Sequence, residues 1–198
     1  MRVKICGVTR PEDAIDAERY GADAIGVVMY SDSPRCVTSK EAEEIFTSLG
    51  PYITRVVVTH TRDKDDMEKV LRIRPDAVQI SYGFPRVAGT RVIRVLAQGD
   101  PLRTDCEAVL IDSSRGHGIA FDPAYARRVV QTSLVPVILA GGLTPQTVRE
   151  AVRDLHPYAV DVSSGVECTP GIKDPEKMRL FILEAHRENS RELSLPPR

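Results

Sequence analysis

Eight short apolar runs constrain this chain more than any other feature. They lie at 2–6 (RVKIC), 23–29 (DAIGVVM), 55–59 (RVVVT), 76–80 (DAVQI), 91–96 (RVIRVL), 107–111 (EAVLI), 135–139 (VPVIL) and 158–162 (YAVDV). Each is rich in β-branched residues and nearly continuous rather than alternating. That pattern marks strands buried on both faces, as in a parallel sheet. Parallel strands need crossover connections, and most of the intervening segments carry helix signals. Thr9-Arg10-Pro11-Glu12 has the form of a capping box with proline in the first turn, and Thr38-Ser39-Lys40-Glu41 has the same form. Segment 62–73 carries Met67, Val70, Leu71 and Ile73 on one helical side. Asp122-Pro123, Thr144-Pro145 and Asp174-Pro175 open helices to about residues 132, 155 and 187 respectively.

Strands alternating with helices through right-handed crossovers predict one closed parallel sheet, a single-domain (β/α)8 TIM barrel over 1–188. At 198 residues the chain stands at the lower limit for that architecture; ~250 is typical and ~200 the low end. The economy falls in two gaps, between strands 4 and 5 and between strands 5 and 6. Each has only about ten residues where a crossover usually takes about a dozen. Segment 81–90 (SYGFPRVAGT) contains two glycines and a proline. Helices after strands 4 and 5 are therefore expected to be short or missing. The tail 189–198 ends in Leu195-Pro196-Pro197-Arg198 and is expected to fray.

Composition narrows the partners. Lys plus Arg is 27 and Asp plus Glu 28, a net charge of −1, which gives no domain-wide basic footprint for nucleic acid. No apolar run reaches the ~18 residues of a membrane span, and residues 1–7 contain no signal-peptide core, so a cytoplasmic protein is expected. The four cysteines, Cys6, Cys36, Cys106 and Cys168, show no C-x-x-C spacing. They are read as thiols, with no metal site and no disulfide framework.

In a (β/α)8 barrel the chemistry sits at the C-terminal ends of strands and in the loops that follow. Strand 1 ends at Cys6-Gly7, strand 6 at Asp112, strand 7 at Gly141-Gly142 and strand 8 at Asp161, followed by Ser163-Ser164-Gly165. A glycine after a strand is by itself only a turn. Two glycine-bearing loops after strands 7 and 8 form a phosphate-site pattern, because backbone N–H groups can approach an anion closely there. Cys6 reads either as core packing or, from its place at a strand end, as a functional thiol. Asp112 reads as a cap or as a functional carboxylate, since burial beside an apolar strand is costly without a role. Arg35, after Ser33-Pro34, is either a solvated arginine or a bidentate ligand for carboxylate or phosphate. His60 and His117 are read chiefly as polar loop residues, and His156 and His186 as solvated.

Taken together these stretches resemble the phosphoribosylanthranilate isomerase family of tryptophan biosynthesis. The match runs through Lys4-Ile5-Cys6-Gly7 with Glu12-Asp13-Ala14, Gly21 to Gly26, Ser33-Pro34-Arg35 and Asp76-Ala77-Val78-Gln79. It continues through Leu110 to Ser113, Ala140 to Pro145, Val160 to Glu167 and Gly171 to Asp174. The resemblance implies an Amadori rearrangement of N-(5-phosphoribosyl)anthranilate to 1-(2-carboxyphenylamino)-1-deoxyribulose 5-phosphate, without metal or cofactor. It implies Cys6 as general base, Asp112 as general acid, Arg35 on the anthranilate carboxylate and Asp161 near the sugar. It also implies the phosphate at Gly141, Gly142, Ser164 and Gly165. The family includes monomers and homodimers, and both are kept open here.

The sequence departs from the family in three places. The common Gln-Leu-His-Gly after strand 4 is Gln79-Ile80-Ser81-Tyr82-Gly83 here. The loop after Asp112 is short, with Arg115-Gly116-His117-Gly118, and strand 3 ends Val58-Thr59-His60. Two alternatives stand beside the main reading. The related isomerase of histidine biosynthesis carries an aspartate where this chain has Cys6. A barrel that only binds a phosphosugar would keep the glycine loops and lose the acid or the base, yet this chain has both. A metal-dependent epimerase lacks its strand-end histidine cluster here.

Overall fold

The computed structural model describes residues 1–80, 89–112 and 122–187. Eight parallel strands close into a barrel in sequence order. They are β1 (Arg2–Cys6), β2 (Ala24–Met29), β3 (Thr54–Thr59), β4 (Ala77–Ile80), β5 (Arg91–Leu96), β6 (Ala108–Ile111), β7 (Val137–Leu139) and β8 (Ala159–Val162). β1 closes the ring by pairing with β2 through Cys6 and Gly26 and with β8 through Lys4 and Asp161. The helices described are α1 (Pro11–Tyr20), α2 (Ser39–Thr47), α3 (Lys64–Arg72), α4 (Pro123–Thr132), α5 (Val148–Leu155) and α6 (Pro175–His186).

The two-residue period of the strands divides the core into two shells. Val3, Ile5, Val27, Val57, Val109 and Val160 face outward and pack with helix residues such as Ala14, Val70, Val152 and Phe181. Val56, Ile93, Leu110, Ile138 and Ala159 fill the barrel interior. Cys6, Val28 and Val58 form a small further cluster near the strand C-termini. Lys4 shares the inward period of Cys6 and is buried with it.

Helix starts follow local hydrogen bonding. Thr38 and Glu41 form the full reciprocal capping box at α2. Asp63, Asp122 and Asp174 each accept two backbone N–H bonds at the starts of α3, α4 and α6. The expected capping box at Thr9 is not formed. Arg10 occupies the cap position of α1 without a side-chain capping bond, and the Thr9 hydroxyl instead donates to the Gly171 carbonyl at 2.6 Å. The helix expected to open at Thr144-Pro145 begins at Val148. Residues 144–147 form a turn first, in which Thr144 N–H donates to the Thr147 hydroxyl.

The connection between β5 and β6, residues 97–107, contains no helix, as its length predicts. Arg94 points outward from β5 into the space a helix would cover, with 0% exposure. It pairs with Asp105 at 3.0 Å, and Arg103 pairs with the same carboxylate at 2.8 Å. Most of the connection after β4 (81–88) lies outside the described residues, as do 113–121 and 188–198. The expectations for a reduced helix after strand 4, for His117 and for a frayed tail fall there.

One element was not expected. After β8 a single 3-10 turn (Ser164–Val166) leads into a two-stranded antiparallel hairpin, β9 (Glu167–Thr169) and β10 (Ile172–Lys173). It extends the loop after β8 at the mouth of the barrel. No helix among the described residues is long and apolar enough to cross a membrane.

Candidate active site

β1 carries Lys4 and Cys6 into the barrel two residues apart. The Lys4 ammonium donates to Asp161 Oδ1 at 2.9 Å on β8 and to Gln79 Oε1 at 3.0 Å on β4. A charged bar therefore crosses the interior beneath the mouth. Cys6 lies above it, 7% exposed. Burial pushes the Cys6 thiol above its ordinary range, while Lys4 and Lys173 pull the other way. Burial would lower the Lys4 ammonium, but Asp161 and Cys6 together outweigh it and hold the group charged, well above its ordinary value.

Asp112 follows β6 and opens on the same crevice as Asp161. That crevice, about 40 Å³, is lined by Asp112, Ala140, Gly141, Gly142, Leu143 and residues 161–165. It brings the two glycine-bearing loops together, as the sequence pattern requires. Gly141 and Gly142 take φ of 94° and 65°, left-handed values that glycine adopts without strain. A Cβ on Gly165 would stand 2.0 Å from the Leu143 carbonyl oxygen, so the loops after β7 and β8 touch at a point where only glycine fits. A larger hollow of about 690 Å³ lies at the opposite end of the barrel, before β3, β4 and β5, lined by Tyr52, Asp76 and Arg91 among others. It is far from the strand C-termini that hold the candidate residues.

Arg35 sits at the mouth with its stem across Gly7. Its guanidinium already holds a carboxylate: Nε and Nη2 donate to the two oxygens of Glu167 at 2.8 and 2.7 Å. Lys173 donates to Glu167 at 2.8 Å and to the Ser163 carbonyl at 3.2 Å. Burial pushes the Glu167 carboxyl up, but Arg35 and Lys173 outweigh that and hold it below the usual carboxylate range. Burial lowers the Lys173 ammonium against the pull of Glu167.

The structure thus gathers Cys6, Asp112, Arg35, Asp161, Gly141, Gly142, Ser164 and Gly165 around one barrel mouth. Sequence reasoning passed over Lys4, Gln79, Glu167 and Lys173 as site components. Lys4 left a signal: a lysine at an inward position of an apolar strand needs a buried partner. His60 is exposed, and its Nδ1 shares a hydrogen bond of 2.9 Å with the Ser31 hydroxyl. Among the described residues no group of three or more His, Cys, Asp or Glu side chains is arranged to hold a metal ion.

Comparison with known proteins agrees in fold and in sequence. The family model described as N-(5'-phosphoribosyl)anthranilate (PRA) isomerase matches residues 3–184. An N-(5'-phosphoribosyl)anthranilate isomerase of Methanoregula boonei is 58% identical over 188 residues, 93% of this chain and 96% of that protein. The crystal structure of phosphoribosyl anthranilate isomerase from Thermus thermophilus superposes with a TM-score of 0.83 at 33% identity, covering 95% of this chain and 100% of that one. A phosphoribosyl anthranilate isomerase in complex with reduced 1-(o-carboxyphenylamino)-1-deoxyribulose 5-phosphate superposes with a TM-score of 0.79 at 31% identity, covering 94% of this chain and 99% of that one.

Proposed function

The chain belongs to the N-(5'-phosphoribosyl)anthranilate isomerase family, whose Amadori-type isomerisation serves tryptophan biosynthesis, and we propose that Cys6 and Asp112 perform the acid–base chemistry of that reaction here. The supporting observation is that Cys6 ends β1 and Asp112 directly follows β6 at one barrel mouth, with Asp161 within electrostatic reach of each. Asp112 donates a proton to the ribofuranose ring oxygen, the ring opens, and the anthranilate nitrogen becomes an iminium. Cys6 then removes the C2 proton. The C–H electron pair forms the C1–C2 double bond, and the iminium π pair moves to nitrogen. The resulting enolamine tautomerises to the ketone of 1-(2-carboxyphenylamino)-1-deoxyribulose 5-phosphate. Proton transfers of this kind by positioned side chains typically contribute 10²–10⁴-fold each.

The other residues orient the substrate. The phosphate lies against the backbone of Gly141, Gly142, Ser164 and Gly165. Glu167 takes the Nε edge of Arg35, so the anthranilate carboxylate meets the opposite, Nη1 edge of the fork. Asp161 stands beside the sugar as the anchor of Lys4. A barrel that binds without catalysis finds no support in this geometry, since acid and base both line the mouth. The loops in which the sequence departs from the family after strands 4 and 6 lie at 81–88 and 113–121, outside the described residues.

The test is direct. Purified protein is mixed with freshly made phosphoribosylanthranilate, and loss of its fluorescence is followed with chelator present. The expected outcome is full conversion to the deoxyribulose product at a rate unchanged by chelator. Binding without conversion, or activity abolished by chelator, would contradict the reading.

A further inference from the structure

We propose that Lys4 is a positioning residue for the reaction: its buried ammonium, anchored by Asp161 and Gln79, pairs with Cys6 and stabilises the thiolate that takes the C2 proton. The proposal rests on the reading of Cys6 as the base and assigns a role to a residue outside the acid–base pair.

The geometry carries it. Lys4 and Cys6 are inward neighbours on β1, and Gly26 is the register partner of Cys6 on β2. A Cβ built on Gly26 would lie 3.1 Å from both Lys4 Nζ and Cys6 Sγ. Ammonium and sulfur therefore flank one small space, which the missing side chain at position 26 leaves open between them. An ammonium has three donors. Two go to Asp161 and Gln79, and the third is left for Cys6, whose sulfur lies across the space beside Gly26.

A thiolate at this depth needs such a partner. Free cysteine has a pKa of about 8.5, and burial drives Cys6 further up. The charged groups facing it are Lys4 on β1, Asp161 on β8, Lys173 on β10 and Arg35 after β2. Lys173 and Arg35 both donate to Glu167. Asp161 opposes the thiolate but holds Lys4 in place, and Gln79 adds an anchor without charge. When the thiolate takes the C2 proton it becomes a neutral thiol, and Lys4 remains charged against Asp161.

The alternative role for Lys4 is purely structural, as counterion to Asp161, and titration separates the two. The Cβ carbon resonance of Cys6, in cysteine-labelled full-length protein and assigned with Cys6→Ser, reports thiol against thiolate without relying on activity. It is followed from neutral to alkaline pH in wild type, Lys4→Gln and Gly26→Ala, alongside kcat over the same range. Lys4→Gln removes the charge and keeps hydrogen bonding to Asp161. Gly26→Ala keeps the Lys4 charge and sets a methyl group 3.1 Å from both Nζ and Sγ, so it carries the test if Lys4→Gln does not fold. An opposite charge in contact typically shifts a pKa by about 1–3 units. The Cys6 titration is expected to move up by about that much in Lys4→Gln and in the same direction in Gly26→Ala. At neutral pH kcat should fall at least about tenfold in Lys4→Gln, with KM little changed, and recover as pH rises. A folded variant in which Cys6 titrates as in wild type overturns the proposal and leaves the base reading standing. If Cys6→Ala retains wild-type kcat, the base reading falls and the proposal falls with it.

Discussion

Arg35 comes to the barrel mouth already holding a carboxylate, and that changes what its replacement should do. Charged hydrogen bonds contribute about 1.5–3 kcal/mol each. Arg35→Ala should therefore lower kcat/KM at least about tenfold, chiefly through KM, as steady-state kinetics would show. An analogue without the anthranilate carboxylate should lose little. Equal losses for both substrates would mean that Arg35 serves mainly to hold Glu167. At this scale the sequence is legible where chemistry coincides with a strand end. Cys6 and Asp112 stand out because their strands are unmistakable. Glu167 and Lys173 were not legible. Glu167 gains its meaning from Arg35, 132 positions away, and no local pattern announces such a partner. Lys4 was legible in part: its presence in an apolar strand is visible, while the Asp161 and Gln79 that satisfy it are found only on barrel closure.

Capping patterns and loop glycines act at the level of whole elements, and identical patterns can diverge. Thr38 and Thr9 head the same kind of sequence, yet only Thr38 caps its helix, because the β9–β10 turn offers the Thr9 hydroxyl the Gly171 carbonyl. Thr38→Ala should cost about 0.5–2 kcal/mol in denaturant unfolding, with kcat unchanged. A loss of stability below that range would mean that the exposed α2 terminus finds water as good a partner. Gly165 makes a stronger demand. A methyl group there meets the Leu143 backbone, so Gly165→Ala should push apart the loops after β7 and β8. The protein should fold and bind inorganic phosphate or product much more weakly by calorimetry. Unchanged phosphate affinity would place the anion elsewhere. Helix starts with aspartate followed by proline were readable to the residue at α4 and α6. The start of α5 was not, because Thr144 and Thr147 close a turn of their own before the helix begins.

The whole molecule follows from eight doubly buried strands, and here the sequence is most informative. Continuous apolar runs force a parallel sheet covered on both sides, and eight of them close it. The short gap before β6 leaves no room for a helix, and the exposed flank of β5 is covered by the Arg94–Asp105–Arg103 cluster instead. The β9–β10 hairpin escaped notice because its strands are too short to carry a period. Closure brings Cys6 from the first strand and Asp112 from after the sixth to one mouth, and the account stands on that pairing. Its most direct test is kcat at saturating phosphoribosylanthranilate for wild type, Cys6→Ala and Asp112→Asn, each verified as folded. The account predicts a loss of at least ~10³ in each variant with modest change in KM. A Cys6→Ala enzyme that keeps more than about a tenth of wild-type kcat, far above what loss of a general base allows, would contradict it.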